Sequence, residues 1–408
     1  MNKAWLLWML TALFFFFEYC VRVAPSILFP FLEKEMNVGL ESIGVLSVMF
    51  YYPYILMQMP VGMIVDRCNI KKVMVTVITV FGLSTVLFSL SHNIYYAYIA
   101  RAIMGLVGAF AFVGSIKIIT LYFDGSKSAL LVGATQGLGM LGAVVGFAPM
   151  YYFFSHYGWH YCFLSLAMIF FIIAILILFN KAQHSPVCHH QTTWWQDIKE
   201  VISSKLVLIN AFNAGLFTLS LIAFGEQWGT AFLASTNLDN VQATHMISIF
   251  FIGVTLGCPA LGLLSDIIKL RGALIRLSSM VCCVMLVIII YQDLLGLKLS
   301  YLSNLMIIFI YGFFQGALQL FYALSTELVP LRFTGFCAGF TNMSSVMIGA
   351  FFIQSISHIL DHLIYKNVLI SDVSTHSFQL VFFILPLSFL IVFFSSYLIP
   401  ETHGKRMV

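Results

Sequence analysis

The sequence predicts an all-α membrane protein of about twelve transmembrane helices in two pseudo-symmetric six-helix bundles. Three observations predict it. Hydrophobic residues make up 61% of the 408 and charged residues 9%, with a mean hydropathy of +0.98. An ordinary soluble domain carries about 25% charge, so this chain cannot cover a water-facing surface. Apolar runs long enough to cross hydrocarbon, about 20 residues each, recur along the whole chain. A short motif at the end of the second run returns at the end of the eighth.

The first run, 5–32, is a full-length span without a small-residue cleavage site, so it is expected to be retained as the first helix. The remaining runs fall at 42–65, 73–91, 94–122, 128–154, 162–180, 206–233, 243–265, 273–292, 301–325, 335–358 and 378–399. The least apolar long segment, 182–203, reads as a cytoplasmic linker ending in a short amphipathic helix with Trp194 and Trp195. It separates an N-terminal bundle, 1–181, from a C-terminal bundle, 204–408. His184, Cys188, His189 and His190 lie in that linker, where nothing fixes four ligands tetrahedrally. No metal site is expected there.

Orientation follows from the placement of basic residues. With the N-terminus inside, fourteen Lys and Arg residues fall on the cytoplasmic side, against Lys34, Lys298 and Lys366 on the other. Both termini are therefore expected in the cytoplasm. The net charge of +4 is spread thinly, so no nucleic-acid partner is expected. The eight cysteines form no CxxC pair and lie mostly in apolar runs, where Cys acts as a small hydrophobe.

The repeated motif is "GMIVD" at Gly62–Asp66 and "GLLSD" at Gly262–Asp266, each followed by basic residues. A weaker parallel links "RAIMG", ending at Gly105, to "IFIYG", ending at Gly312. Parallel six-helix halves around a central site are one architecture of secondary transporters.

Ionisable residues within the spans are costly and mark functional positions by default. Glu18 and Arg22 stand one helical turn apart near the middle of the first run, spaced to pair along one face. Such a pair either neutralises itself or lines a ligand site. Glu226 sits in the seventh run with no basic residue in its own span, which suits proton coupling or an ammonium ligand. Arg101 shares a helix face with Gly105 and Gly108. Lys117, sixteen residues on from Arg101, points nearly the opposite way at about 100° per residue. It is either a headgroup anchor or a carboxylate contact. Tyr51, Tyr52, Tyr54, Trp228 and Tyr322 are aromatic candidates, and Pro53, Pro60, Gly225 and Gly229 are candidate kinks.

On these residues the chain resembles the major facilitator superfamily along its whole length. The family's loop signature, Gly-x-x-x-Asp-Arg-x-Gly-Arg-Lys, is matched by Gly62, Asp66, Arg67 and Lys71, with Asn69 and Ile70 replacing its second Gly and second Arg. The resemblance implies a cytoplasmic gate latch made of these residues with Arg101 and Asp266. "GATQGLGMLGAVVG" resembles the family's glycine-spaced fifth helix but lacks the Gly-Pro pair of drug–proton antiporters. "YCVRVAPSILFPFL", "FYYPYILMQMPVG" and "AFGEQWGTAFL" resemble the phagosomal transporters of intracellular Gram-negative bacteria. That likeness implies import of amino acids or nucleosides. Tyr19 and Arg22 are also similar to the first helix of organophosphate antiporters, but no second Arg lies between Lys205 and Arg271.

The sequence therefore predicts a monomeric secondary transporter of the inner membrane, without cofactors, whose partners are a small solute, protons and the bilayer. An amino acid or short peptide is the expected substrate. Its carboxylate would meet Arg22, with Lys117 as a second candidate, and its amine Glu18 or Glu226. Tyr19, Tyr51, Gln136, Trp228 and Asn342 complete the candidate set, and Glu226 or Glu18 would carry the coupling proton. The rivals are a nucleoside or organic-anion carrier and a non-transporting ligand sensor. No Walker loop, GxSxG or HExxH is present, so an enzyme is not expected.

Overall fold

A computed structural model of the chain describes residues 3–36, 38–123, 125–180, 204–236, 238–329, 334–363 and 374–402. Eleven helical stretches among them are long and apolar enough to cross a membrane. The helix Leu40–Arg67, 28 residues long, occupies the place of the second expected span. The chain divides into two compact units, Met1–His190 and Gln191–Val408. The linker lies outside the described residues, as does its expected amphipathic helix.

Unit 1 runs α1 (Lys3–Val23), α2 (Pro25–Met36), α3 (Leu40–Arg67), α4 (Ile70–Ser89), α5 (Ile94–Gly108), α6 (Phe110–Tyr122), α7 (Gly125–Gly146), α8 (Ala148–Tyr157) and α9 (Trp159–Phe179). Unit 2 opens with α10 (Lys205–Ser220), a π-helical segment Leu221–Trp228, and α11 (Gly229–Ser235). It continues through α12 (Asn240–Ile268), α13 (Arg271–Tyr291), α14 (Tyr301–Gln315), α15 (Leu318–Glu327), α16 (Thr334–Leu363), α17 (Thr375–Phe382) and α18 (Ile384–Ser395).

The first expected span is not one helix. Pro25 has no N–H to give to the carbonyl of Val21 one turn back, so α1 stops at Val23 and Pro25 opens α2. Pro53 and Pro60, by contrast, sit inside α3 without ending it. The break in the first span is at Pro25. The expectation at Gly225 and Gly229 coincides with the π-helical segment. Asn69, in place of the signature's glycine, caps α4: its side chain accepts from the backbone of Lys71 and Lys72.

The internal repeat is visible in which helices pack together. In unit 1, the strongest pairings are α1 with α7, α3 with α5, and α4 with α9. In unit 2 they are α10 with α16, α12 with α14, and α13 with α18. Counted as spans, the first pairs with the fifth, the second with the fourth and the third with the sixth in both units. The finest detail of the repeat is a glycine contact. A Cβ on Gly105 would lie 1.9 Å from the carbonyl oxygen of Phe50, and one on Gly312 would lie 2.1 Å from that of Phe250. Small residues let helix backbones approach in a bilayer, where packing rather than the hydrophobic effect drives association. The "RAIMG"–"IFIYG" parallel is thus a shared packing constraint.

Gly105→Ala should destabilise the purified protein by about 1–3 kcal/mol, the usual cost of overpacking a core. Gly133 has open space around its Cβ position, so Gly133→Ala should be neutral or slightly stabilising. Melting temperatures of the two variants in detergent check this; equal behaviour would refute the close-approach reading.

Candidate functional site

In unit 1, four predicted residues converge at the break in the first span. Arg22 Nε and Nη2 donate to Glu18 Oε1 at 3.1 and 2.8 Å. Glu18 has no exposed surface and Arg22 is 8% exposed. The Arg22 guanidinium lies over the rings of Tyr19 at 4.5 Å, Tyr54 at 4.7 Å and Phe50 at 5.4 Å. Aromatic faces carry negative quadrupole charge and attract such a cation when water is excluded.

Arg101 joins this cluster from α5. Its Nη1 donates to the carbonyl of Val21 at 2.9 Å, and its Nη2 to that of Arg22 at 3.2 Å. Val21 is the residue whose carbonyl Pro25 leaves without an intrahelical donor. The guanidinium therefore replaces the missing backbone donor, and its charge complements the negative end of the α1 dipole. The same group sits over Phe50 at 4.7 Å, so two guanidiniums share one ring. Tyr51, Glu18 and Arg22 are its electrostatic neighbours. Arg101, grouped with the latch by resemblance, is thus placed at the α1–α2 break.

Lys117 and Gln136 are both half-buried, on α6 and α7. The side chains of Asp66 and Arg67 lie outside the described residues. Of the latch signature, Gly62 is on α3 and Lys71 opens α4, where its Nζ donates to the carbonyl of Asn180 at the end of α9. The Asn180 side chain in turn donates to the carbonyl of Lys3. Three helix ends are tied together there.

Unit 2 carries its charge differently. Arg271 donates to Glu327 Oε1 at 2.8 Å, to Ser265 Oγ at 3.0 Å and to Asp266 Oδ1 at 3.1 Å. Asp266 thus ends its motif in an ion-pair network. Glu401 caps α13 by accepting from the backbone of Gly272 and Ala273, and from Arg276. Glu226 is 2% exposed on the π-helical segment, beside a fully buried Trp228 that packs near Phe378. The π-turn is closed by a bond from the Gly229 N–H to the Phe224 carbonyl, five residues back. A Cβ on Gly229 would lie 2.3 Å from that oxygen, so glycine permits the turn. Single π-turns inside α-helices concentrate at functional positions.

Two further groups stand out in unit 2. Tyr322 donates to Asn342 Oδ1 at 2.8 Å, joining two residues selected from the sequence. Gln227, next to Glu226, was not selected. It is 2% exposed, and its Nε2 has no hydrogen-bond partner among the described residues. Burial gave no sequence signal for it, because Gln227 lies in a run whose neighbours are all apolar or small apart from Glu226.

Breaking a buried pair by removing one member strands a charge and costs about 3–5 kcal/mol, whereas removing both is far milder. Arg22→Leu alone should therefore lower the stability of the purified protein by about that amount. The double variant Glu18→Gln, Arg22→Leu should recover most of the loss in the same denaturation measurement.

With this geometry in place, comparison with known proteins is informative. Residues 7–353 match the family model of the Major Facilitator Superfamily. The "Probable sulfoacetate transporter SauU" of Cupriavidus necator is 24% identical over 189 residues, 46% of this chain and 44% of that protein. The "Probable galactarate/D-glucarate transporter GudP" of Bacillus subtilis is 22% identical over 296 residues, 62% of this chain and 63% of that one. The matched regions thus span about half the length of these relatives. A bacterial homologue of the human lysosomal transporter Spinster, crystallised inward-facing and unoccupied, superposes with a TM-score of 0.78 at 14% identity, covering 97% of this chain and 98% of its own. That likeness concerns the fold. The chain belongs to the Major Facilitator Superfamily.

Proposed function

We propose that this chain is a proton-coupled secondary transporter that moves a small carboxylate-bearing solute, an amino acid or short peptide, by alternating access. The observation that carries the reading is the buried cluster of unit 1, which holds two guanidiniums, Arg22 and Arg101, for one carboxylate, Glu18. Arg101 is committed to the α1 break. The Arg22 guanidinium is bonded to the Glu18 side chain and set over aromatic faces. A planar fork set among aromatic faces is suited to grip a carboxylate at two points, and Glu18 beside it is suited to receive an amine. The resemblance of the first, second and seventh spans to phagosomal transporters supports the amino-acid class.

Glu226 is the coupling candidate. It is a buried carboxylate on a locally irregular helix. Gln227 and Trp228 flank it on the same segment. The excess of basic residues on the N-terminal side supports an inner-membrane protein with both termini in the cytoplasm.

A second reading is favoured by the relatives. SauU and GudP are named for a sulfonated and a dicarboxylic organic acid, solutes that need Arg22 but no amine receptor. Competition against labelled substrate in proteoliposomes separates the two. Amino acids or short peptides should compete under the first reading, while aldarates and sulfonates alone should compete under the second. Under both, Arg22→Lys should weaken binding at least about tenfold, near 1.4 kcal/mol, with folded yield preserved. Lys keeps the charge but loses the fork, so unchanged affinity would remove Arg22 from the site.

Glu226→Gln should abolish uphill uptake driven by a pH gradient while leaving substrate exchange intact. The amide keeps the shape of the side chain but cannot cycle a proton. Accumulation equal to that of the unaltered protein would exclude Glu226 as the coupling group.

A further inference from the structure

At the end of unit 1 opposite the N-terminus, three elements distant in sequence bring together Glu35 of α2, His92 of the α4–α5 turn and His160 of the first turn of α9. One ligand atom from each lies within 4.8 Å of the other two. His160 Nε2 is 2.8 Å from Glu35 Oε1, and His92 Nδ1 is 3.7 Å from the same oxygen. Ligand atoms around a tetrahedral zinc ion, with bonds of about 2.0–2.1 Å, stand roughly 3.3 Å apart. The two observed separations bracket that value.

The surroundings are arranged as metal sites are. His160 Nδ1 faces the carbonyl of Ser89, and Ser89 Oγ donates to the carbonyl of His160 at 2.8 Å. A histidine whose Nδ1–H is bound to a backbone carbonyl presents its Nε2 lone pair to an ion, with the ring held in place. Trp159 Nε1 donates to Glu35 Oε2 at 2.9 Å, orienting the carboxylate so that Oε1 faces the histidines. By the orientation of the basic residues this end faces away from the cytoplasm.

We propose that Glu35, His92 and His160 form a three-ligand site for a divalent transition ion of the zinc class. Two imidazoles and one carboxylate suit such ions better than magnesium or calcium, which prefer all-oxygen shells. Bound there, the ion joins α2, the α4–α5 turn and α9, and so fastens the outer ends of three spans. The site is independent of the transport reading, because none of its residues belongs to the Glu18–Arg22 cluster or to the Glu226 segment.

The test uses tag-free full-length protein in detergent, with His184, Cys188, His189 and His190 replaced by Ala to silence the linker. Zinc ion alone, titrated against a chromophoric chelator, should bind at one per chain and raise the melting temperature. His92 is the clean variant, since its side chain is 83% exposed and its loss leaves the Trp159–Glu35–His160 bonds intact. His92→Ala should weaken zinc binding at least tenfold and remove the thermal shift. If the linker-silenced protein folds poorly, the same comparison in the unaltered chain should show His92→Ala losing one bound ion. No zinc uptake by the parent, or equal affinity and stoichiometry in His92→Ala, overturns the site.

Discussion

Much of unit 1 depends on a single missing hydrogen atom. Pro25 cannot donate to Val21, and a carbonyl freed in the hydrocarbon region has no water to turn to. Arg101 supplies the donor from the neighbouring helix. To reach it, α5 must lie close to α3 and α1, and Gly105 against the Phe50 carbonyl allows that approach. Phe50 then lies under both Arg101 and Arg22. The break, the close packing and the charged cluster form one arrangement, so a change at Gly105 would be felt at Arg22.

The two units repeat the pairing of their spans but not its chemistry. Where Gly105 and Phe50 meet in unit 1, Arg101 stands one turn before the glycine. Where Gly312 and Phe250 meet in unit 2, Ile308 takes that place and is fully buried. The core of unit 2 relies instead on neutral polar pairs, such as Ser220 with Gln315, and on clustered aromatic rings. Among the described residues its ion pairs gather at the helix ends, around Arg271, Glu327 and Glu401. A shared scaffold thus carries buried guanidiniums beside Glu18 in one unit and a π-distorted helix with the buried Glu226 in the other. A buried pair such as Glu18 and Arg22 adds little stability that apolar side chains would not.

Relatives at 22–24% identity over part of their length share the scaffold, and scaffold alone does not specify substrate. Arg22 is enclosed by aromatic rings, and Glu226 is buried beside Gln227.

Class, spans and repeat were legible in the sequence because they rest on composition and period. An apolar run must be a helix in a bilayer, and its length fixes the crossing whatever its neighbours do. The Glu18–Arg22 pair was legible for the same reason, since four residues of helix place both side chains on one face. The exact place of the helix break was not, because Pro25, Pro53 and Pro60 are chemically alike. Only the neighbouring helix decides which freed carbonyl finds a donor, and Arg101 reaches the one before Pro25. The partner of Arg101, the π-turn at Glu226 and the grouping of Glu35, His92 and His160 likewise join positions far apart in the chain. No local pattern encodes such contacts; helix packing, which sets distances between segments, brings them together.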